Sequence, residues 1–81
     1  MAWYIDRSTL TQSDGAKSWW TTDHGPAQTV PVSGIYKCVV CKKEVTSNKG
    51  DPFPPQNHHQ HDPGQGPVSW RLNVRSNTDG V

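Results

Sequence analysis

The chain has 81 residues, of which 31% are hydrophobic and 14 are glycine or proline (seven of each), and its net charge is +1. A chain of this length forms one domain with a modest apolar core, so a bound metal ion or another cross-link is expected to help stabilise it. The net charge is too small to imply strong general attraction to nucleic acids or membranes, and no stretch has the roughly 20 apolar residues that a membrane helix requires.

The first 33 residues are rich in Ser, Thr, Asp, Gln and Gly and show no helical periodicity. Residues 3–5 are compatible with a short strand, and His24 lies in a polar stretch that predicts a loop. We expect residues 1–33 to be a loop-rich segment that is ordered where its tryptophans dock on the rest of the chain. Trp19 and Trp20 are expected to pack on the core and cover its edge, the alternative being a platform for stacking a nucleic acid or peptide.

The strand signals begin at residue 34. The segment GIYKCVVCKKEVTSN (34–48) predicts a strand, a turn at Cys38–Cys41 and a second strand. Residues 50–67 contain five prolines and three glycines, which exclude regular structure. In VSWRLNV (68–74) apolar residues alternate with polar ones, which predicts a half-buried strand with Trp70 in the core. Residues 76–81 are expected to be a flexible tail. The predicted fold class is all-β, a small antiparallel sheet.

Cys38 and Cys41 form a C-x-x-C pair, whose two-residue gap lets one tight turn direct both sulfurs at a single metal ion. His58, His59 and His61 follow 17 to 20 residues after Cys41, a separation that suits two turns joined by a hairpin and a loop. His58 and His61 have the same gap as the cysteines and are therefore favoured, whereas His59 with His61 is the alternative if the segment is extended. The sequence predicts a Zn²⁺ site.

Other chemistries fit the cysteine pair less well. A redox dithiol of the thioredoxin type needs the pair at the start of a helix, whereas lysines and a strand follow here. A structural disulfide needs an oxidising compartment, and two cysteines without a signal peptide favour the cytoplasm. Two thiolates and two imidazoles suit zinc, since a rubredoxin-type iron site needs four cysteines and a Rieske cluster pairs one Cys with one His in each loop.

Catalysis is the minority interpretation. Four good ligands favour a closed site, and the chain has neither an H-E-x-x-H pattern nor a glycine-rich phosphate loop. We therefore expect a non-enzymatic protein with a structural zinc ion. The alternative is a small zinc-dependent or thiol-based enzyme.

The stretch GIYKCVVCKKEVTSNKGDPFPP (34–55), followed by HHQH (58–61) and the strand around Trp70, resembles the zinc-ribbon or rubredoxin-like group of small bacterial proteins. The resemblance covers about residues 31–75. In commoner members the second ligand pair is also C-x-x-C, and here Gln56 and the histidines replace it. The resemblance implies a zinc-ribbon-like domain over residues 34–75 that serves as a binding module. A protein partner is preferred over a nucleic acid, and no membrane partner is expected.

Overall fold

The computed structural model describes residues 2–13, 15–55 and 66–78. This part of the chain contains three strands: β1 (Gly34–Cys38), β2 (Glu44–Ser47) and β3 (Trp70–Arg75). They form one antiparallel sheet in the order β2–β1–β3, which confirms the predicted all-β class. Two single 3₁₀ turns, at Arg7–Thr9 and Ser18–Trp20, are the described helical elements, and neither is long enough to cross a bilayer.

The β1–β2 hairpin follows the predicted strand, turn and strand. Gly34, Tyr36 and Cys38 alternate on the buried face of β1, as the period of a half-buried strand requires. Tyr36 is paired with Val45 of β2, and the chain turns between Cys38 and Glu44. The cysteine pair therefore marks the hairpin connection.

β3 also follows its predicted alternation. Val68, Trp70 and Leu72 are buried, and Arg71 and Asn73 are exposed. The strand runs from Trp70 to Arg75, slightly later than predicted. Its pairing with β1 shifts by one residue because Asn73 is an extra residue opposite the Ile35–Tyr36 step, which makes a β-bulge.

Half of the core lies outside regular structure. Four of its eight residues, Val30, Val32, Phe53 and Val68, are buried although none belongs to a strand. Backbone hydrogen bonds hold two of them there: the Val30 amide donates to the Asp51 carbonyl at 2.8 Å and the Phe53 amide donates to the Gln28 carbonyl at 2.8 Å. The packed body therefore includes residues from the stretch before β1 as well as the sheet.

The strand suggested at residues 3–5 is wrong, since none is present there. Trp3 and Ile5 are 94% and 105% exposed, so no sheet or core surface covers them and a strand has no partner to pair with. The next residues form the first 3₁₀ turn instead. Asp6 caps that turn by accepting the Ser8 amide at 2.9 Å, and this hydrogen bond lowers the pKa of the Asp6 carboxyl.

Trp19 and Trp20 form part of the second 3₁₀ turn, which contacts β3. Both indoles are half-buried and pack against the edge of the core. Neither is fully buried. Each therefore keeps part of its surface accessible.

Candidate metal centre

The connection between β1 and β2 is a tight loop closed by two backbone hydrogen bonds. The Cys38 amide donates to the Lys43 carbonyl at 2.7 Å, and the Lys42 amide donates to the Cys38 carbonyl at 2.9 Å. Lys42 has φ +70°, the left-handed conformation that ends such a turn and returns the chain to the next strand. Cys41 lies inside this loop and Cys38 at its base, so one closed turn carries both thiols.

The two cysteines differ in burial. Cys38 is fully buried and lies opposite Trp70 in the β1–β3 pairing, whereas Cys41 is half-buried and packs against the core from outside. Both are thiols. The Val39 amide donates to the Ser69 carbonyl at 2.9 Å, which fixes the cysteine loop to the residues that lead into β3. The loop is therefore held on two sides, by β2 and by the chain before β3.

The other predicted ligands, His58 and His61, lie outside the described residues, as does the alternative His59. Within residues 2–13, 15–55 and 66–78, no group of three or more His, Cys, Asp or Glu side chains is arranged to hold a metal ion. The described part of the site thus consists of two thiol donors, Cys38 and Cys41. Two thiols from one turn are half of a tetrahedral zinc shell, so they fit the ion if two further donors come from elsewhere in the chain.

His24 lies outside the three strands, in the stretch predicted to be a loop, but it takes part in the packed body. Its backbone forms a two-way bridge with Trp70, donating and accepting at 2.8 Å, and so extends the sheet beyond β3. Its ring stacks on Phe53, with centroids 5.1 Å apart, and meets the edge of Tyr36 at 6.4 Å. The residues next to His24 in the sequence gave no sign of these contacts, because the partners Tyr36, Phe53 and Trp70 are 12, 29 and 46 residues away.

One ring nitrogen of His24 is buried beside the aromatic rings of Phe53 and Tyr36. This nitrogen, Nε2, has no hydrogen-bond partner among the described residues. Among the described residues, His24 belongs to no group of three or more His, Cys, Asp or Glu side chains that could hold a metal ion. We therefore assign His24 to the aromatic core, where it covers Phe53.

Tyr36 and Phe53 complete this core beside the cysteine loop. Their rings meet edge to face with centroids 4.7 Å apart. The Tyr36 hydroxyl donates to the Val32 carbonyl at 2.6 Å, and burial raises the pKa of that hydroxyl. Phe53 was not singled out by the sequence, because its flanking prolines indicated only a loop; an isolated aromatic residue between prolines was the available signal.

The fold and the cysteine loop together define a small all-β protein built on a three-stranded antiparallel sheet. No family model matches the chain, and no solved structure matches it. The chain is 55% identical over 64 residues to a protein of Escherichia coli named "Protein L", an alignment that covers 79% of this chain and 72% of that protein. At that identity and coverage, the chain belongs to the Protein L family.

Proposed function

We propose that this protein is a small cytoplasmic zinc-binding module in which Cys38, Cys41, His58 and His61 hold one structural Zn²⁺. The supporting observation is the closed hairpin loop that carries both thiols between β1 and β2. Zinc favours two such sulfur ligands from one turn, and nitrogen ligands complete a closed tetrahedral shell. Bound zinc would cross-link the hairpin to the segment that follows it.

Chain connectivity supports the choice of the histidines. Phe53 is anchored against Tyr36, and five residues from Phe53 to His58 can span up to about 17 Å when extended. Ser69 is bonded to the cysteine loop, and eight residues back to His61 can span up to about 27 Å. Both maximum spans exceed the roughly 7 Å along β1 that separates Tyr36, which Phe53 contacts, from Cys38. The chain is therefore long enough on each side for both histidines to reach the thiols.

The composition of the core supports a structural role for the metal. Eight hydrophobic side chains make up the buried core of the described residues, and a core of that size is small for a domain. Structural zinc in small domains supplies on the order of 10 kcal/mol of apparent binding free energy, comparable to the whole stability of a domain. A protein stabilised in this way suits binding to a partner, and we propose no catalytic step.

The first experiment measures metal content. Protein purified without added metal is analysed by inductively coupled plasma mass spectrometry, and we expect one zinc per chain. Cys41→Ser should lose the zinc, because a closed shell tolerates no missing thiolate. Ser13→Ala is the matched control, since Ser13 lies in the exposed stretch before the second 3₁₀ turn. Wild-type protein that is folded and free of metal would contradict the proposal.

The second experiment separates the histidines. His58→Ala and His61→Ala should each remove most of the zinc affinity, and His59→Ala should cost much less because the shell is complete without it. A supporting hydrogen bond from His59 would produce an intermediate loss of roughly 10- to 100-fold. Competition with a chromogenic chelator measures all three. Loss of binding in His59→Ala together with intact binding in His58→Ala would instead assign the site to His59 and His61.

A further inference from the structure

A second feature lies at the opposite end of β1 from the cysteines. The residues entering β1 and those leaving β3 enclose a groove of about 200 Å³, lined among others by Trp19, Ser33, Lys49, Arg75, Ser76 and Thr78. β1 has five residues, so about 13 Å of strand separates the groove from Cys38. The groove is therefore distinct from the candidate metal centre.

Hydrogen bonds to Ser33 hold the walls of the groove together. The Ser33 hydroxyl accepts a hydrogen bond from the Lys49 amide at 2.9 Å, and the Ser33 carbonyl accepts one from the Ser76 amide at 2.9 Å. Ser33 immediately precedes β1, and Ser76 immediately follows β3. The end of β3 is thus placed by a backbone hydrogen bond, and the backbone of Lys49 is placed by the Ser33 side chain.

Cationic side chains surround the indole of Trp19 in this groove. The Arg75 guanidinium lies 5.5 Å from the centre of the ring and the Lys17 ammonium 6.0 Å from it, both within the range of a cation–π contact. Lys49 is a third cation on the groove wall. Among the described residues, none of these three has a carboxylate partner, in contrast to Arg71, which pairs with Asp23 at 2.6 Å. Within the part of the chain that the structure describes, their charges are therefore available to an anion.

We propose that this groove binds the phosphodiester backbone of a single-stranded nucleic acid. Arginine and lysine are the donors that proteins use for phosphate, and a half-buried indole beside them is the surface on which an unpaired base stacks. A volume near 200 Å³ is below the roughly 300–1,000 Å³ of pockets that enclose a whole small molecule. It accommodates a phosphate with part of one nucleotide, so the strand would cross the groove without being enclosed.

The low net charge limits the strength of this binding. With +1 on the whole chain, the attraction is local to the groove, and we expect a dissociation constant on the order of 10⁻⁴–10⁻⁶ M at physiological salt. Three cations contacting phosphates release at most about two counterions from a single strand, since each contact contributes about 0.7 to the slope of log K against log salt. The proposed partner is thus a single-stranded nucleic acid, and its binding to the groove does not require zinc.

The test uses fluorescence anisotropy of a labelled 12-nucleotide oligothymidylate titrated with the full chain. We expect saturable binding with a salt slope near −2, no displacement by millimolar inorganic phosphate, and at least ten-fold weaker binding of a glutamate-rich peptide of equal charge. Equal affinity for the acidic peptide, or no binding of the oligonucleotide, would overturn the proposal.

Matched variants locate the site. Arg75→Gln and Lys49→Gln should each weaken binding several-fold and reduce the salt slope by about 0.7. Lys43→Gln removes the same charge from an exposed position at the cysteine loop and should leave affinity within two-fold. The Trp19 indole resonance should shift on titration. The proposal is overturned if Lys43→Gln weakens binding as much as Arg75→Gln. The zinc content of Arg75→Gln should be unchanged, which shows that its weaker binding does not arise from loss of the metal.

Discussion

Replacing Tyr36 by Phe removes a single oxygen from the centre of the core. The side chain is fully buried, and its hydroxyl donates a 2.6 Å hydrogen bond to the carbonyl of Val32. Val32 itself is buried, so the carbonyl loses its donor in a place that water reaches poorly. The ring and its edge-to-face contact with Phe53 are retained, so the substitution isolates the hydrogen bond that ties β1 to the segment before it.

The magnitude follows from leaving a buried acceptor without a partner, which costs about 1–3 kcal/mol. For a domain of this length, each kcal/mol corresponds to roughly 4–8 °C in Tm. A central value of about 2 kcal/mol therefore predicts a Tm lowered by roughly 8–16 °C. No cavity term is added, because the lost atom is the hydroxyl oxygen alone.

Urea denaturation followed by circular dichroism measures the change in the free energy of unfolding. Tyr4→Phe is the matched control: Tyr4 is 58% exposed, so the same loss of a hydroxyl should change stability by less than about 0.5 kcal/mol. If Tyr36→Phe and Tyr4→Phe are equally stable, the buried hydrogen bond does not support the fold and the reasoning is refuted.

The same residue predicts a pH dependence. Burial raises the pKa of Tyr36 in the folded protein above its ordinary value of about 10. A group whose folded pKa is raised contributes stability that is complete below the unfolded pKa and is lost as pH rises through the folded pKa. Stability measured from pH 8 to pH 11 should therefore fall more steeply in the wild type than in Tyr36→Phe. Parallel curves would show that Tyr36 does not titrate with unfolding.

Three further substitutions probe packing and surface charge by the same urea assay. Gly34→Ala should destabilise by about 1–3 kcal/mol, because a Cβ there would lie 2.2 Å from the Val74 carbonyl oxygen; a neutral result would mean that β1 and β3 can separate at little cost. Phe53→Ala should cost about 3–5 kcal/mol through the loss of a buried ring, and a change below 1 kcal/mol would exclude Phe53 from the core. Asp23→Asn should change stability by less than about 1 kcal/mol and only at low salt, since its pair with Arg71 is exposed; a larger, salt-independent loss would contradict this.

Local sequence patterns were sufficient to predict the three strands. For β3 the pattern was the alternation of apolar and polar residues over 68–74, and for β1 and β2 it was the enrichment in β-branched and aromatic residues on either side of the cysteine pair. The hairpin turn at the cysteines was predicted for the same reason, since strand signals stop and resume around it. These elements depend on neighbours close in sequence.

The sequence by itself thus determined the three strands, the turn that carries Cys38 and Cys41, and the core position of Trp70. Only the tertiary structure showed that His24 extends the sheet and stacks on Phe53, and that Arg75 lies over the indole of Trp19. Those contacts join residues 29 to 56 positions apart, and at least one partner of each, His24 or Trp19, lies in the N-terminal stretch that shows no periodicity. No local pattern encodes such pairings, because they arise when irregular segments fill the surface that a small sheet leaves uncovered.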